Sequence, residues 1–569
     1  MWSLLVALTV DAQAAVPRIV GTPVVTNPAF NGVANTMMYD VTVTVSNTGA
    51  DALHVAKVGF ASEDDFLGCT RTANWKWSHA ETFDTTATQT WTLYNFLPGK
   101  TYYYKVMVGS GPMARTRCGT LETTAAPTPT LPSALADLNL RYEHGATTAD
   151  TKYVMVETDD CGGSGMSFAG AKDYILVLDP AEEAIVWYLD VGAVSQDRGG
   201  ANTGMRYQAG PTSTSGRILL SVDRRWLFSW GFDGSIVASH DFGHDECDAV
   251  AGSYGPCPHH DVFQSDDTGI TYVMASTVSS VDSSGTEWED HCGSDADFID
   301  DGYTMLDDTW TDVGESYLMA DHGYDPRVDG GPNAMGLAER PTACAADTWN
   351  HNFDQTRGTI DWTHTNSIAA SSYGPGEVID ISIKEWSQVV RINPTTGNLL
   401  WTLSGRRSDS DWYPIDVASG VVGAATFSGQ HDVHAVGEGL LMMFDNMGDT
   451  AGSRLIQLYL DATTGGATIE KSWAMLDGNG DPMRCGMEGA AELVPNSAGG
   501  HAFGVCKDRY TVAELDDPTG AAGTAPPLVV SLPDGSVREG PFCASGGPSD
   551  RNFIRGWHRA FPLATVGEF

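Results

Sequence analysis

The sequence predicts an all-β protein, an N-terminal β-sandwich followed by a six-bladed β-propeller with long loop insertions. Three observations carry that reading. The chain holds 63 Gly and 27 Pro among its 569 residues and has no long apolar segment of helical period. Between residues 17 and 125 apolar and polar residues alternate, as in YDVTVTVSN, TQTWTLYNF and TYYYKVMVG, the period of strands with one buried face. From about residue 150 one phrase recurs: an apolar run, a turn with Asp or Asn and Gly, and a second run ending in an aromatic residue. It appears as YILVLDPAEEAIVWYL, WLFSWGFDGSIVASHDF, YTMLDDTWTDVGESY, VVRINPTTGNLLWTL, LIQLYLDATTGGATIEKSW and LVVSLPDGSVREGPF, with turns near 180, 233, 309, 395, 463 and 534. Repeats that each hold a hairpin and cannot bury a core alone stack into a propeller.

The elements follow in order. Residues 1–15 have an apolar run from Trp2 to Val10 and then Ala12-Gln13-Ala14. This is the form of a secretory signal, which implies a periplasmic or extracellular location. No later run approaches the roughly 18 apolar residues of a membrane span. In residues 17–125, the stretch Leu97-Pro98-Gly99-Lys100-Thr101-Tyr102-Tyr103-Tyr104-Lys105-Val106 resembles the turn and strand of a fibronectin type III domain. That resemblance implies a Tyr at the strand start that hydrogen-bonds back across the corner. Residues 126–149, opening with Ala126-Pro127-Thr128-Pro129-Thr130-Leu131-Pro132, read as a linker, because a Pro-rich run cannot sit centrally in a sheet. The propeller is expected over residues 150–569.

The ten cysteines fit a disulfide-bonded exported chain, with Cys69 and Cys118, Cys247 and Cys257, Cys292 and Cys344, and Cys485 and Cys506 as local candidates. Sequence leaves the connectivity open. The formal charge of −41 speaks against nucleic-acid binding, since a phosphate polyanion is repelled. No phosphate-cradling Gly motif or closely spaced Cys pair is present, so neither cofactor nor metal is expected. Asp477-Gly478-Asn479-Gly480-Asp481 has alternating oxygen ligands but lacks the distal Glu of a calcium loop, and reads as a solvated turn.

Residues 361–446 place rare reactive side chains within ordinary strand sequence. His259 and His260, His364, and His431 each lead into a strand, at what reads as an equivalent point of three blades. Asn366, Lys384 and Gln430 accompany them, His434 reads as a strand-edge residue, and Asp445 and Asn446 as turn-shaping. In one order stand Asp361-Trp362-Thr363-His364-Thr365-Asn366-Ser367, Asp380-Ile381-Ser382-Ile383-Lys384, Gly397 to Trp401, Gln430-His431-Asp432 and Phe444-Asp445-Asn446. This series resembles the signature of the arylsulfotransferases, which move a sulfuryl group from one phenolic ester to another phenol without a nucleotide donor.

The resemblance implies small phenols and aryl sulfates as partners. It implies His431 as the nucleophile, with His364 and one of the His259–His260 pair, taken as His260, steadying the sulfonate or protonating the leaving phenolate. Lys384, His259, Asn366 and Gln430 would contact substrate. The family carries an Arg where this chain has Lys384, which cannot make the forked contact to two oxygens. Either Lys384 serves, or Arg406 or Arg407 replaces the Arg, or the activity has drifted. Two other readings stand beside this one. Asn393 to Trp401 also resembles a phrase of quinoprotein dehydrogenases, though only one good copy is present, and a non-catalytic propeller could bind glycans or proteins.

Overall fold

The computed structural model of the protein describes residues 18–563 apart from 63–75, 121–129, 161–173, 192–201, 209–216, 243–256, 285–294, 320–358, 406–412, 517–524, 532–553 and several shorter loop stretches. The expected signal, Arg406, Arg407, the turn near 534 and most of the cysteines lie outside the described residues. All named elements are strands, and the chain divides into two compact units, residues up to 133 and residues 134–566.

Among the described residues, the first unit holds two larger antiparallel sheets and a two-stranded one, Ala29–Phe30 with Val33–Ala34. One runs in the order Arg18–Thr26, Tyr39–Ser46, Ala87–Leu93. The other runs Arg115–Thr120, Tyr102–Val108, His54–Ser62, and the last of these also carries Lys76–Trp77 and Glu81–Phe83. Strict alternation of buried and half-buried residues along Tyr39–Ser46 and Tyr102–Val108 turns one face of each sheet to a common core. Val41, Val43 and Trp91 meet Val58, Phe60, Tyr104 and Val106 there. Phe96 stands edge-on to both Tyr39 and Tyr102, each at 4.8 Å. The Leu97 N–H donates to Tyr102 Oη at 2.7 Å, the corner contact that the turn sequence led one to expect.

The second unit contains six sheets among the described residues. Sheet I is Tyr153–Asp160, Tyr174–Asp179 and Ala184–Asp190, with Ala560–Leu563 and Ile554–Arg555 added beside the first of these. Sheet II is Asn202–Gln208, Arg217–Val222, Trp226–Trp230 and Ile236–Asp241. Sheet III is Cys257–Gln264, Thr271–Asp282, Asp295–Leu306 and Asp312–Leu318. Sheet IV is Thr365–Ser371, Val378–Ile383, Gln388–Asn393 and Asn398–Ser404. Sheet V is His431–Gly437, Leu440–Asp445, Arg454–Asp461 and Gly466–Ala474, extended by Tyr413–Asp416 and Val421–Val422. Sheet VI is Ala490–Leu493, Ala502–Cys506, Thr511–Leu515, Leu528–Ser531 and Arg141–His144.

Five of the six hairpins expected from the sequence are present, joining the second and third strands of sheet I and the third and fourth of sheets II to V. Local polar side chains close them: the Asp307 carboxylate accepts the N–H groups of Thr309 and Thr311, and Asn393 Oδ1 those of Thr395 and Thr396. Hydrogen bonds from Thr309 and Thr311 hold the Asp307 carboxyl below its usual range. The sixth phrase differs. Its turn lies outside the described residues, and Leu528–Ser531 pairs with Arg141–His144, which sequence had assigned to the linker. That four-residue strand is half-exposed without alternation, so no periodicity announces it. Asp477 closes its own turn, accepting the N–H groups of Asn479 and Asp481.

The first strands of sheets II to VI touch in succession, and that of VI touches Ala560–Leu563 of sheet I. Each is a sheet edge, so buried N–H groups there need acceptors from outside the sheet. Asp261 of sheet III takes the N–H of Ile368 in sheet IV at 3.0 Å, Ser367 of IV that of Val433 in V at 2.8 Å, and Asp432 of V that of Ala491 in VI at 2.9 Å. Beyond sheet VI, Glu514 accepts the N–H groups of Asp150 and Thr151, just before sheet I. The acceptors Asp261, Ser367, Asp432 and Glu514 are all buried. Replacing Asp261 by Ala removes the acceptor of both Val262 and Ile368. Urea unfolding of the variant should show a loss of about 3 kcal/mol, the scale of stranding two buried donors.

Candidate functional site

Those seam bonds set the register of the reactive residues. Asp261, Ser367 and Asp432 hold one place in three successive sheets, so the residues before them, His260, Asn366 and His431, hold the next. His260 and His431 are therefore equivalent, but His364 is not, as it stands two residues ahead of Asn366. It comes in through the backbone. His260 and His364 have φ of 52° and 45°, and their rings meet at 5.3 Å. Among the described residues, six non-glycine positions have positive φ, and four of them, His260, His364, Ser387 and Asp432, cluster here. Left-handed backbone costs a side-chain-bearing residue about 1–3 kcal/mol, and such strain gathers where geometry serves a site.

Bulges accompany the strain. The first strands of sheets III, IV and V each slip register against their second strands at these positions, between Pro258 and Val262, Thr365 and Ser367, and His431 and His434. An extra residue in an edge strand re-aims the side chains beside it.

His259, buried, has Nε2 3.4 Å from Asp301 Oδ1 and Nδ1 2.6 Å from Nδ1 of His260. Two ring nitrogens at that distance share one proton. Asp301 is fixed in turn, because its Oδ2 accepts from Thr363 Oγ1 at 2.7 Å and from the Thr365 N–H at 2.8 Å. Asp301, His259, His260 and His364 thus stand in line, a buried carboxylate followed by three imidazoles. The Lys384 N–H donates to the His364 carbonyl at 3.2 Å, which sets Lys384 beside it at the end of a buried strand.

His431, 4 % exposed, is held from the other side. Its Nδ1 lies 3.0 Å from the Gly429 carbonyl and 2.6 Å from Asn446 Oδ1. Asn446 Nδ2 donates to the Cys485 carbonyl at 3.1 Å, which orients the amide with its oxygen toward the ring. Both neighbours of Nδ1 are acceptors, so Nδ1 carries the proton and the lone pair is on Nε2. Asn446, read from the sequence as turn-shaping, is the residue that sets this tautomer. Behind it, Cys485 and Cys506 form a disulfide, and Ser453 bonds both Cys485 and the Asn446 carbonyl.

The remaining candidates separate. Gln430, fully buried, donates its amide to sheet IV, with Ser382 Oγ, the Ile383 carbonyl and the Gln388 carbonyl at 2.9–3.1 Å. Its backbone carbonyl receives Asn366 Nδ2 at 2.8 Å. Gln430 is thus a clamp between sheets IV and V. Asn366 Oδ1 is buried with no hydrogen-bond partner among the described residues and is left as an acceptor. Part of the sequence signature is architectural: Asp380 makes a two-point pair with Arg391, whose guanidinium lies 4.7 Å over Trp401. His434 is buried, not at an exposed edge, with Nδ1 at 3.1 Å from the Asp432 carbonyl.

Against known proteins, residues 337–517 match the family model described as Arylsulfotransferase (ASST). The match holds His364, Asn366, Lys384, Gln430, His431 and Asn446, and ends short of His259 and His260. No curated protein matches the chain. Solved structures that resemble it include a protein of unknown function from Bacteroides caccae, at 12 % identity, covering 66 % of this chain and 94 % of that one with a TM-score of 0.34. The allergen Mala s 1 of Malassezia sympodialis has 12 % identity, 68 % and 96 % coverage and a TM-score of 0.31. The Dos1 propeller has 8 % identity, 69 % and 74 % coverage and a TM-score of 0.27. None of these three likenesses bears on activity.

The tautomer is open to direct measurement. ¹⁵N–¹H correlation spectra of His431 should show the proton on Nδ1, and Asn446→Leu should raise the Nε2–H population. An unchanged spectrum would remove Asn446 from the site.

Proposed function

We propose that the protein transfers a sulfuryl group from an aryl sulfate to a phenolic acceptor, with His431 Nε2 as the nucleophile that carries the group between them. The observation that carries this reading is the pinning of His431 Nδ1–H between Gly429 and Asn446. A neutral imidazole so held presents a lone pair without first losing a proton. The family match over residues 337–517 supports sulfuryl transfer as the class of reaction.

The steps balance without a nucleotide. The Nε2 lone pair forms an N–S bond as the S–O(aryl) bond breaks, and the phenolate leaves with the bonding pair. The acceptor phenol then gives up its proton and attacks sulfur, an O–S bond forms, the N–S bond breaks, and His431 regains its lone pair. Charge spreads over the sulfonate oxygens throughout, so fixed donors supply most of the catalysis. The shared proton between His259 and His260 suits both halves. His260 shares that proton at Nδ1, so its Nε2 can give a proton to the leaving oxygen in one half and take one from the acceptor in the other. Lys384 and His364 add positive or donor character to an otherwise acidic protein, and Asn366 Oδ1 is an acceptor for a phenolic O–H.

In the same reading, residues 17–125 are a fibronectin-type β-sandwich, and the six sheets of the second unit form a closed propeller with the site on one of its ends. The protein acts outside the cytoplasm.

Mixing the purified chain with a chromogenic aryl sulfate and an acceptor phenol tests the activity. Transfer should be ping-pong, and His431→Asn should abolish both turnover and the acid-labile sulfo-adduct. His260→Ala or His364→Ala should slow turnover by about 10²-fold to 10⁴-fold, the scale of a lost acid–base group. Full activity in His431→Asn, or a strict need for a nucleotide sulfate, would overturn the proposal. Lys384→Arg should hold or raise activity if a cation at that place meets the sulfonate, and a collapse in kcat/KM would show that it does not.

A further inference from the structure

One cluster of metal-binding side chains takes no part in the chemistry above. Asp432 and His434 of sheet V and Glu492 of sheet VI bring one ligand atom each to within 4.8 Å of one another. His434 is 9 % exposed, and its Nδ1 lies 3.1 Å from the Asp432 carbonyl, an acceptor only. The ring proton is therefore on Nδ1, and the Nε2 lone pair is aimed at Glu492 Oε2, 3.5 Å away. A lone pair facing a carboxylate oxygen is repulsive unless a cation stands between them or the ring is charged. The distance chooses between these. An imidazolium–carboxylate hydrogen bond closes to about 2.7–2.9 Å. Two ligands of one tetrahedral zinc ion, each about 2.0–2.1 Å from the metal, stand about 3.4 Å apart.

We propose that Asp432, His434 and Glu492 bind one divalent transition-metal ion of the zinc class, which joins sheets V and VI. His434 has the form of a metal-ligating histidine, with its second nitrogen donating to a backbone carbonyl that fixes ring and tautomer. Asp432 is already turned to sheet VI by the Ala491 N–H, and Glu492 is the next residue along that strand. Solvent reaches the site through the Glu492 side chain, which is 22 % exposed, and water completes the coordination. The other such group among the described residues, Asp150, His501 and Glu514, differs: His501 Nδ1 has closed to 2.7 Å on Glu514, which also accepts two backbone N–H groups. It serves as the internal control.

The test is calorimetric titration of the chelator-treated full chain with Zn²⁺, repeated with Co²⁺ to read tetrahedral geometry from its visible spectrum. One equivalent should bind. Glu492→Gln and His434→Ala should each weaken binding by at least about 100-fold, more than the loss of an outer-shell partner, while His501→Ala and His431→Asn leave it unchanged. Glu492→Gln keeps the side chain's shape, so the test stands if His434→Ala does not fold. Equal affinity in Glu492→Gln and the parent chain, no saturable binding, or loss of binding only in His501→Ala or His431→Asn would each overturn the proposal. None of these readings depends on sulfuryl transfer.

Discussion

Six sheets that meet edge to edge have a common problem, since the strand at each meeting edge has buried N–H groups its own sheet cannot satisfy. This protein meets it with short acidic or hydroxyl side chains set one sheet back. Asp261, Ser367, Asp432 and Glu514 each take a backbone N–H across a seam. Such bonds are worth more in a low-dielectric interior than on a surface, and leaving any donor unmet is costly. The pattern is also directional. Every acceptor faces the sheet that follows it around the unit, so a shift in one seam would strand donors in the next.

The candidate site is built on the same residues. The strand positions that hold the seam acceptors are immediately preceded by His260, Asn366 and His431, and the bulges that free those acceptors to reach across also turn the neighbouring side chains. Strain at His260, His364 and Asp432 is tolerated because buried hydrogen bonds on both sides determine the backbone there. Stability and chemistry are in this sense one arrangement. The bond that holds sheet V to sheet VI through Asp432 also fixes the residue next to His431.

What could be read in the chain follows the range of the interactions. Hairpins closed by Asp307 or Asn393 were legible because turn chemistry is local and its residues are adjacent. The histidines stood out because they are rare in strand sequence. Arg141–His144 was hidden, since it has no alternation and its partner strand, Leu528–Ser531, lies at the far end of the chain. Asp301 was hidden in a different way: it is one of 73 acidic residues, and nothing local marks it as the partner of His259. Asn446 could have been found. It lies two residues past Phe444, the cross-strand partner of His431, and so within reach of that ring. The clamp made by Gln430 was hidden because its three acceptors belong to another sheet, a fact that no sequence window contains.

The strands at the two ends of the second unit are exchanged: Arg141–His144 completes sheet VI, the last built, and Ala560–Leu563 completes sheet I, the first. During synthesis, sheets II to V can pair as they emerge, because their partners are neighbours in the chain. Tyr153–Asp160 and Arg141–His144 must wait with bare edges until the final strands appear. The pairing that ends the process is of the longest range and so the slowest to form. A chain released or cut before residues 554–563 would keep five finished sheets and one open edge, that of Tyr153–Asp160, the kind of surface that chaperones hold and that other copies of the chain can extend.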